Sequence, residues 1–258
     1  MNQPKIEARR LSKVFFDRRK GKHTEALLDF DFSVAESEFT CIIGPSGCGK
    51  STFLNLVAGF EKPTGGLILV DGQPVVGPGS DRGVVFQNYG LFPWLGVYDN
   101  IAFGLKRKKV PNLKEVVQYY IARVGLDGFE DKLPYELSGG MKQRVAIARV
   151  FANDPAVLLM DEPFAALDAQ TRSIMQGELL SIWQEHRRTV LFITHNVDEA
   201  IYLADVIAVM TARPGKIKSS YRIELPRPRE LTSSEFNEYR KKVLTDITEE
   251  AQKAFAAR

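Results

Sequence analysis

Gly44-Pro45-Ser46-Gly47-Cys48-Gly49-Lys50-Ser51-Thr52 stands between a short apolar run, Thr40-Cys41-Ile42-Ile43, and a helical pattern, Phe53-Leu54-Asn55-Leu56-Val57-Ala58. Strand, glycine-rich loop and helix in that order match the phosphate-loop pattern G-x-x-x-x-G-K-S. Glycines let backbone N–H groups converge on phosphate oxygens without a Cβ in the way, and the helix start adds partial positive charge. Lys50 is expected to serve the β- and γ-phosphates of a nucleoside triphosphate, and Ser51 to offer its hydroxyl to Mg2+. Cys48 reads as a small residue filling a tight loop, with a thiol that could make the site sensitive to thiol reagents.

Working outward, Val157-Leu158-Leu159-Met160-Asp161-Glu162 is an apolar strand ending in two carboxylates. The C-terminal ends of parallel strands face the ligand crevice. Asp161 there can hold Mg2+ through its water shell, and Glu162 can take a proton from an attacking water. Thr189-Val190-Leu191-Phe192-Ile193-Thr194 is a third such run, and all three suit strands buried on both faces of a parallel sheet. The first forty residues suit strands, and Leu67 to Val70 before Asp71-Gly72 predicts a strand entering a tight hairpin.

Helices are expected elsewhere. Leu113, Val116, Val117, Tyr120, Ile121 and Val124 repeat at helical spacing, with Gly125 as a stop. Another helix should begin just after Ser138 and run toward Phe151, with Pro155 marking the break before the next strand. Past Pro228, the spacing of Phe236, Tyr239, Val243, Ile247 and Ala251 predicts an amphipathic helix. Leu137-Ser138-Gly139-Gly140-Met141 at a helix start is a second anion grip, yet the chain has one nucleotide loop. The second grip therefore suggests a nucleotide carried by another copy.

The bulk numbers exclude several classes. At 258 residues, 44% hydrophobic and 26% charged, the chain has ordinary globular composition. A formal net charge of +3 gives no electrostatic case for nucleic acid. Cys41 and Cys48 flank the phosphate loop, which a disulfide would distort, so reduced cytosolic thiols are expected. Residues 1 to 10 lack the apolar core of a signal peptide, and no apolar run reaches the length of a membrane span.

With these residues in view, the chain resembles the ATP-binding subunits of ABC transporters from about Ile6 to Leu225. Leu137-Ser138-Gly139-Gly140-Met141-Lys142-Gln143-Arg144 is similar to the family's signature segment, with Met141 where glutamine is common. Ala166-Leu167-Asp168 is similar to its D-loop, Thr194-His195 to its switch histidine and Phe86-Gln87 to its Q-loop. Phe15 falls where the family stacks an aromatic ring on adenine, with Phe16 as a rival. The resemblance implies an α/β fold: a P-loop NTPase (RecA-like) core, an antiparallel β subdomain and a helical insert carrying the signature. It implies one nucleotide-binding domain over 1–230, its insert at about 90–150, and a helical tail over 231–258. It further implies ATP and Mg2+ as ligands, with Gln87 reaching the metal or water, His195 contacting the γ-phosphate, and Ser138 to Met141 closing in trans on a nucleotide held by a second subunit.

The same resemblance implies a bacterial importer ATPase on the cytoplasmic face of the inner membrane. Its partners would be a second ATP-binding subunit, two membrane permease subunits and, indirectly, a periplasmic binding protein. Phe92-Pro93-Trp94-Leu95, Ala212-Arg213-Pro214-Gly215-Lys216-Ile217 and Leu225-Pro226-Arg227-Pro228-Arg229 are similar to the branch handling nitrate, sulfonates and taurine. The uncharged, aromatic segment Phe86 to Val97 suits a groove for a permease helix, with Phe92, Pro93 and Trp94 at or near the contact. Export, or another cargo, is the alternative within the family. A soluble relative acting on DNA or ribosomes would call for a coiled coil, a second phosphate loop or a basic arm, and a small-molecule kinase would leave the signature segment unexplained.

Overall fold

The computed structural model describes residues 3–17 and 21–256, so Met1 and Asn2 of the N-terminal reading, and Ala257 and Arg258 of the tail, lie outside the described residues. The chain divides into two compact units, Met1–Gly79 with Thr189–Arg258, and Ser80–Arg188.

The first unit opens with β1 (Ile6–Asp17), β2 (Lys22–Val34) and β3 (Phe39–Ile43), then α1 (Lys50–Ala58), β4 (Gly65–Val70) and β5 (Gln73–Pro74). Strands β2-β1-β4-β5 form an antiparallel sheet. The predicted hairpin is present: Val70 pairs with Gln73 across Asp71 and Gly72, at φ 51° and 70°. Two successive positive φ values match the strand twist, which is why an Asp-Gly pair sits there. One face of α1 packs on this sheet, with the Phe53 ring 4.8 Å from that of Phe30. All five residues of β3 are buried.

The second unit holds β6 (Arg82–Val85), α2 (Val97–Lys108), α3 (Leu113–Arg123), α4 (Gly139–Ala152), β7 (Val157–Asp161) and α5 (Ala169–His186). β6 and β7 run parallel. α3 buries Val117, Tyr120 and Ile121 and stops where predicted, with Gly125 at φ 62°. Arg144 of α4 satisfies the carbonyls exposed by that stop, donating from Nη1 to Val124 at 2.8 Å and Gly125 at 3.0 Å. α4 begins directly after Ser138 as the sequence predicts.

The chain then completes the first unit with β8 (Thr189–Ile193), α6 (Val197–Leu203), β9 (Val206–Met210), β10 (Ile217–Arg222) and α7 (Ser234–Ala256). β3 lies between β8 and β9, parallel to both, and β10 adds antiparallel to β9. Continuous apolar runs in β3, β8 and β9 are what strands covered on both faces require.

α7 packs on α6 and β9. It buries Phe236 and Val243 as its spacing predicts, but Ala251 is exposed and Glu250 is buried in its place. Polar contacts explain the difference. One Glu250 carboxylate oxygen accepts from the Ala212 N–H at 2.9 Å and the other from Lys253 Nζ at 2.6 Å. Among the described residues, no helix is long and apolar enough to cross a membrane.

Candidate functional site

The first unit supplies the phosphate loop. Gly47 and Gly49 sit at φ 76° and 106°, and a Cβ on Gly49 would lie 2.7 Å from the Ala26 carbonyl oxygen. Conformation and space both demand glycine there. α1 starts at Lys50 with Gly49 as its N-cap and no side-chain acceptor on its first amides. A helix start of that kind keeps donors and partial positive charge for an anion. The Lys50 side chain is folded into the loop, donating from Nζ to the carbonyls of Gly44 at 2.8 Å and Pro45 at 3.0 Å. An ammonium held by two carbonyls inside a glycine cradle suits a phosphate chain, whose oxygens can take over those bonds.

Cys48 behaves differently from its sequence reading. Its thiol is buried, and burial pushes its pKa up, against the pull of the adjacent Lys50 ammonium. A covered, protonated thiol is a poor target for thiol reagents, so the expected sensitivity is not supported. Cys41 is also free and buried, with its thiol pushed up by burial.

His195 follows β8 on an exposed position between two fixed neighbours. Thr194 Oγ1 accepts from the Asn196 N–H at 3.0 Å, and Asn196 Oδ1 caps α6 by accepting from the Glu199 N–H at 3.1 Å. Phe15 lies on β1, 38% exposed, with Lys13 Nζ 4.8 Å from its ring centroid. Phe16 is more exposed, at 55%, and its ring lies 4.6 Å from that of His23.

In the second unit Asp161 ends β7, and Glu162 turns the chain at φ 46°. A left-handed backbone at a residue with a Cβ is costly, of order 1–2 kcal/mol, and its place beside a strand-end carboxylate marks this turn as built. Ser138 Oγ caps α4 by accepting from the Met141 N–H at 3.2 Å. Met141 itself is half-buried. Asp168 caps α5, accepting from the Thr171 N–H at 2.9 Å, and that bond holds its carboxyl below the usual range. The signature and D-loop segments meet: a Cβ on Gly140 would lie 3.0 Å from a methyl of Leu167, and one on Gly139 would lie 3.1 Å from the Tyr89 hydroxyl.

Gln87 is exposed in the turn after β6. The loop that follows it is fixed by two residues the sequence reading missed. Arg149 of α4 donates to the carbonyls of Gly90 at 2.7 Å and Tyr89 at 3.1 Å. Asn100, fully buried on α2, accepts from the Phe92 N–H at 2.9 Å and donates to the carbonyls of Phe92, Leu95 and Gly96. A signal existed for Asn100: an amide on the apolar stripe of Val97, Ile101 and Leu105. The loop borders a groove of about 460 Å3 lined by Phe86, Phe92, Phe103, Arg149, Val150 and Pro155 among others. Pro93 and Trp94 are exposed, Trp94 at 71%, whereas Phe92 is half-buried against Phe103, with rings 4.4 Å apart.

For Mg2+, Ser51 and Asp161 offer hard oxygen donors, the type this ion takes while keeping waters and substrate phosphates. Among the described residues, no three His, Cys, Asp or Glu side chains cluster as a self-sufficient metal site.

Comparison with known proteins gives the family. The family described as ABC transporter matches residues 27–165. An uncharacterized ABC transporter ATP-binding protein of Methanocaldococcus jannaschii is 54% identical over 252 residues, covering 97% of this chain and 94% of that protein. The aliphatic sulfonates import ATP-binding protein of a Bacillus cereus strain is 47% identical, with 89% and 91% covered. The nitrate import ATP-binding protein of Synechococcus elongatus is 52% identical, with 80% and 77% covered. Among solved structures, a dimeric ATP-binding cassette in a post-hydrolysis state bound to ADP and Pi superposes with a TM-score of 0.76 at 28% identity, covering 86% of this chain and all of that one. The chain belongs to the ABC transporter family, as one of its ATP-binding, ATP-hydrolysing members with a P-loop NTPase core.

Proposed function

We propose that this chain energises import of a small organic or inorganic anion of the sulfonate or nitrate type. In this reading it works as a pair of ATP-binding subunits beneath two permease subunits, on the cytoplasmic face of the membrane, with a periplasmic binding protein delivering cargo. Substantial identity to both a sulfonate and a nitrate import subunit, over most of each chain, carries the proposal. The groove beside Phe92 and the exposed Trp94 support it, since an aromatic, largely apolar groove suits a permease helix.

The residue roles are those that the family resemblance implies, and the chemistry of each side chain suits its role. Gly44 to Thr52 hold the phosphates, with Lys50 on the β- and γ-phosphates. Ser51, Gln87 and Asp161 would hold Mg2+, Asp161 through water, and the ion when bound supplies charge stabilisation on the phosphates. Glu162 takes the proton of the attacking water, His195 steadies the γ-phosphate, and Phe15 stacks on adenine. Ser138, Gly139, Gly140 and Met141, with Asp168, act on the nucleotide of the second subunit.

Reconstitution tests the reading. The chain, combined in proteoliposomes with two permease subunits that it binds, should drive ATP-dependent uptake of a labelled sulfonate or nitrate when the binding protein is present. ATP-dependent efflux, or uptake of neither anion class, would overturn the cargo and direction proposed.

A further inference from the structure

The connection from β9 to β10, Thr211-Ala212-Arg213-Pro214-Gly215-Lys216, lies against the phosphate loop. Arg213 donates from Nε at 3.0 Å and from Nη2 at 2.9 Å to the same acceptor, the Gly47 carbonyl oxygen. Two residues on, a Cβ at Gly215 would fall 2.1 Å from the Cys48 carbonyl oxygen. Backbone therefore touches backbone where only glycine fits. The Gly215 N–H donates to the Ala26 carbonyl at 3.0 Å, the same oxygen that crowds Gly49. Three successive loop residues, Gly47, Cys48 and Gly49, are thus backed from outside.

Peptide planarity gives this backing a consequence. In a trans peptide the carbonyl and the following N–H point in opposite directions. Holding the Gly47 oxygen outward on Arg213 turns the Cys48 N–H toward the inside of the loop, where it lies 3.4 Å from the Pro45 carbonyl oxygen. The Cys48 oxygen, pressed on Gly215, turns the Gly49 N–H the same way. Inward amides are what a phosphate loop offers its ligand.

The connection is in turn held by α7. Glu250 accepts from the Ala212 N–H, the residue beside Arg213. Lys218 on β10 bridges to Glu249 at 2.6 Å and Glu250 at 3.4 Å, and Asp246 accepts from the hydroxyls of Ser219 and Tyr221. Thr211 Oγ1 closes the connection on itself, donating to the Pro214 carbonyl at 3.1 Å and accepting from the Lys216 N–H at 3.0 Å.

We infer that Arg213 is a positioning residue of the phosphate loop, and that Glu250 holds it in place, so that the C-terminal helix sets the loop geometry that receives a nucleotide's phosphates. The inference rests on the ATP-binding reading of Gly44 to Thr52. It adds a route by which anything that lifts or binds α7 changes nucleotide affinity.

The test uses the full chain and five variants: Arg213→Ala, Arg213→Lys, Glu250→Ala, Glu250→Gln and the double variant Arg213→Ala, Glu250→Ala. Affinity is read with a fluorescent ATP analogue, catalysis as KM against kcat, and loop order as amide exchange over residues 44–50. Arg213→Ala should weaken nucleotide binding and raise KM about tenfold, with a smaller change in kcat. Arg213→Lys should recover part of the loss, since one donor remains. Glu250→Gln should stay nearer the parent than Glu250→Ala because it keeps an acceptor for the Ala212 N–H. The double alanine variant should lose little beyond Arg213→Ala alone, as residues on one path do. Unchanged loop exchange in Arg213→Ala, or wild-type affinity and KM, overturns the inference. Faster loop exchange in a protein whose parent binds no nucleotide would instead sink the ATP reading and leave the brace standing.

Discussion

Arg149 Nη1 lies 2.7 Å from the carbonyl oxygen of Gly90, tying the helix that opens on Ser138 to the loop that follows Gln87. The guanidinium also stands 5.6 Å from the Phe92 ring centroid, and burial pulls its pKa down from the usual arginine range. Truncation would leave the Tyr89 and Gly90 carbonyls without their donor. Arg149→Ala should lower unfolding stability by about 1.5–3 kcal/mol, the scale of hydrogen bonds to a charged group. Urea titration reads this directly, and an unchanged midpoint would show the tie to be idle.

Glu162→Gln isolates the chemical step. The amide cannot take a proton from water, so phosphate release should fall about 10²-fold or more, while bound ATP is retained. ATP should then hold the variant as a dimer on size-exclusion chromatography. Hydrolysis at the parent rate would remove Glu162 from the base role.

Asn100→Ala removes the hub of the 92–96 loop: the Leu95 carbonyl and the Phe92 N–H lose the partner the side chain gives them, while the Phe92 and Gly96 carbonyls keep the N–H groups of Leu95 and residue 100. The expected cost is about 2–3 kcal/mol, with a shift in Trp94 emission as the loop loosens. A variant with parent stability and emission would contradict the hub.

Thiol chemistry should be slow in the folded chain. Burial covers both Cys41 and Cys48 and keeps their thiols protonated near neutrality. Ellman's reagent should titrate both cysteines in denaturant and neither on the same timescale in the native protein. Rapid native modification of Cys48 with loss of nucleotide binding would restore the thiol-sensitive reading.

Acid should loosen the C-terminal helix. Burial alone would raise the Asp246 and Glu250 carboxyls, but their hydrogen bonds outweigh it and hold both below their ordinary values of 3.8 and 4.5. Folded pKa values below the unfolded ones stabilise the chain above pH 4.5, and that contribution disappears as pH falls through the folded values. The melting temperature of the parent should therefore drop more steeply below about pH 5 than that of an Asp246→Asn, Glu250→Gln variant. Parallel curves would place the acid sensitivity elsewhere.

What the sequence made legible was local. The phosphate loop, the carboxylates ending β7, the start of α4 after Ser138 and the Asp71-Gly72 turn each follow from a few adjacent residues whose backbone needs are specific. Polar ties between distant segments left no such trace. Arg213 and Gly47 are 166 positions apart, and Arg149 and Gly90 are 59 apart. Neither arginine interrupts a periodicity, so each reads as an ordinary surface charge. Glu250 misled for a related reason: its neighbour Ala251 carries the apolar spacing, and only the Ala212 N–H explains why the carboxylate goes inward.

The starts of four helices rank the places where an anion can settle. Ser138, Asp168 and Asn196 each spend a side-chain oxygen on an amide of their own helix, whereas Gly49 leaves the first amides of α1 with no side-chain acceptor. A phosphate arriving at α1 displaces nothing from those amides, while one arriving at α4 competes with Ser138 for the Met141 N–H. In the proposed pairing of two copies, nucleotide should therefore load first on the loop and only afterwards recruit the Ser138 end of the second copy. On that reading the order of events, and not only shape, depends on which cap carries an oxygen.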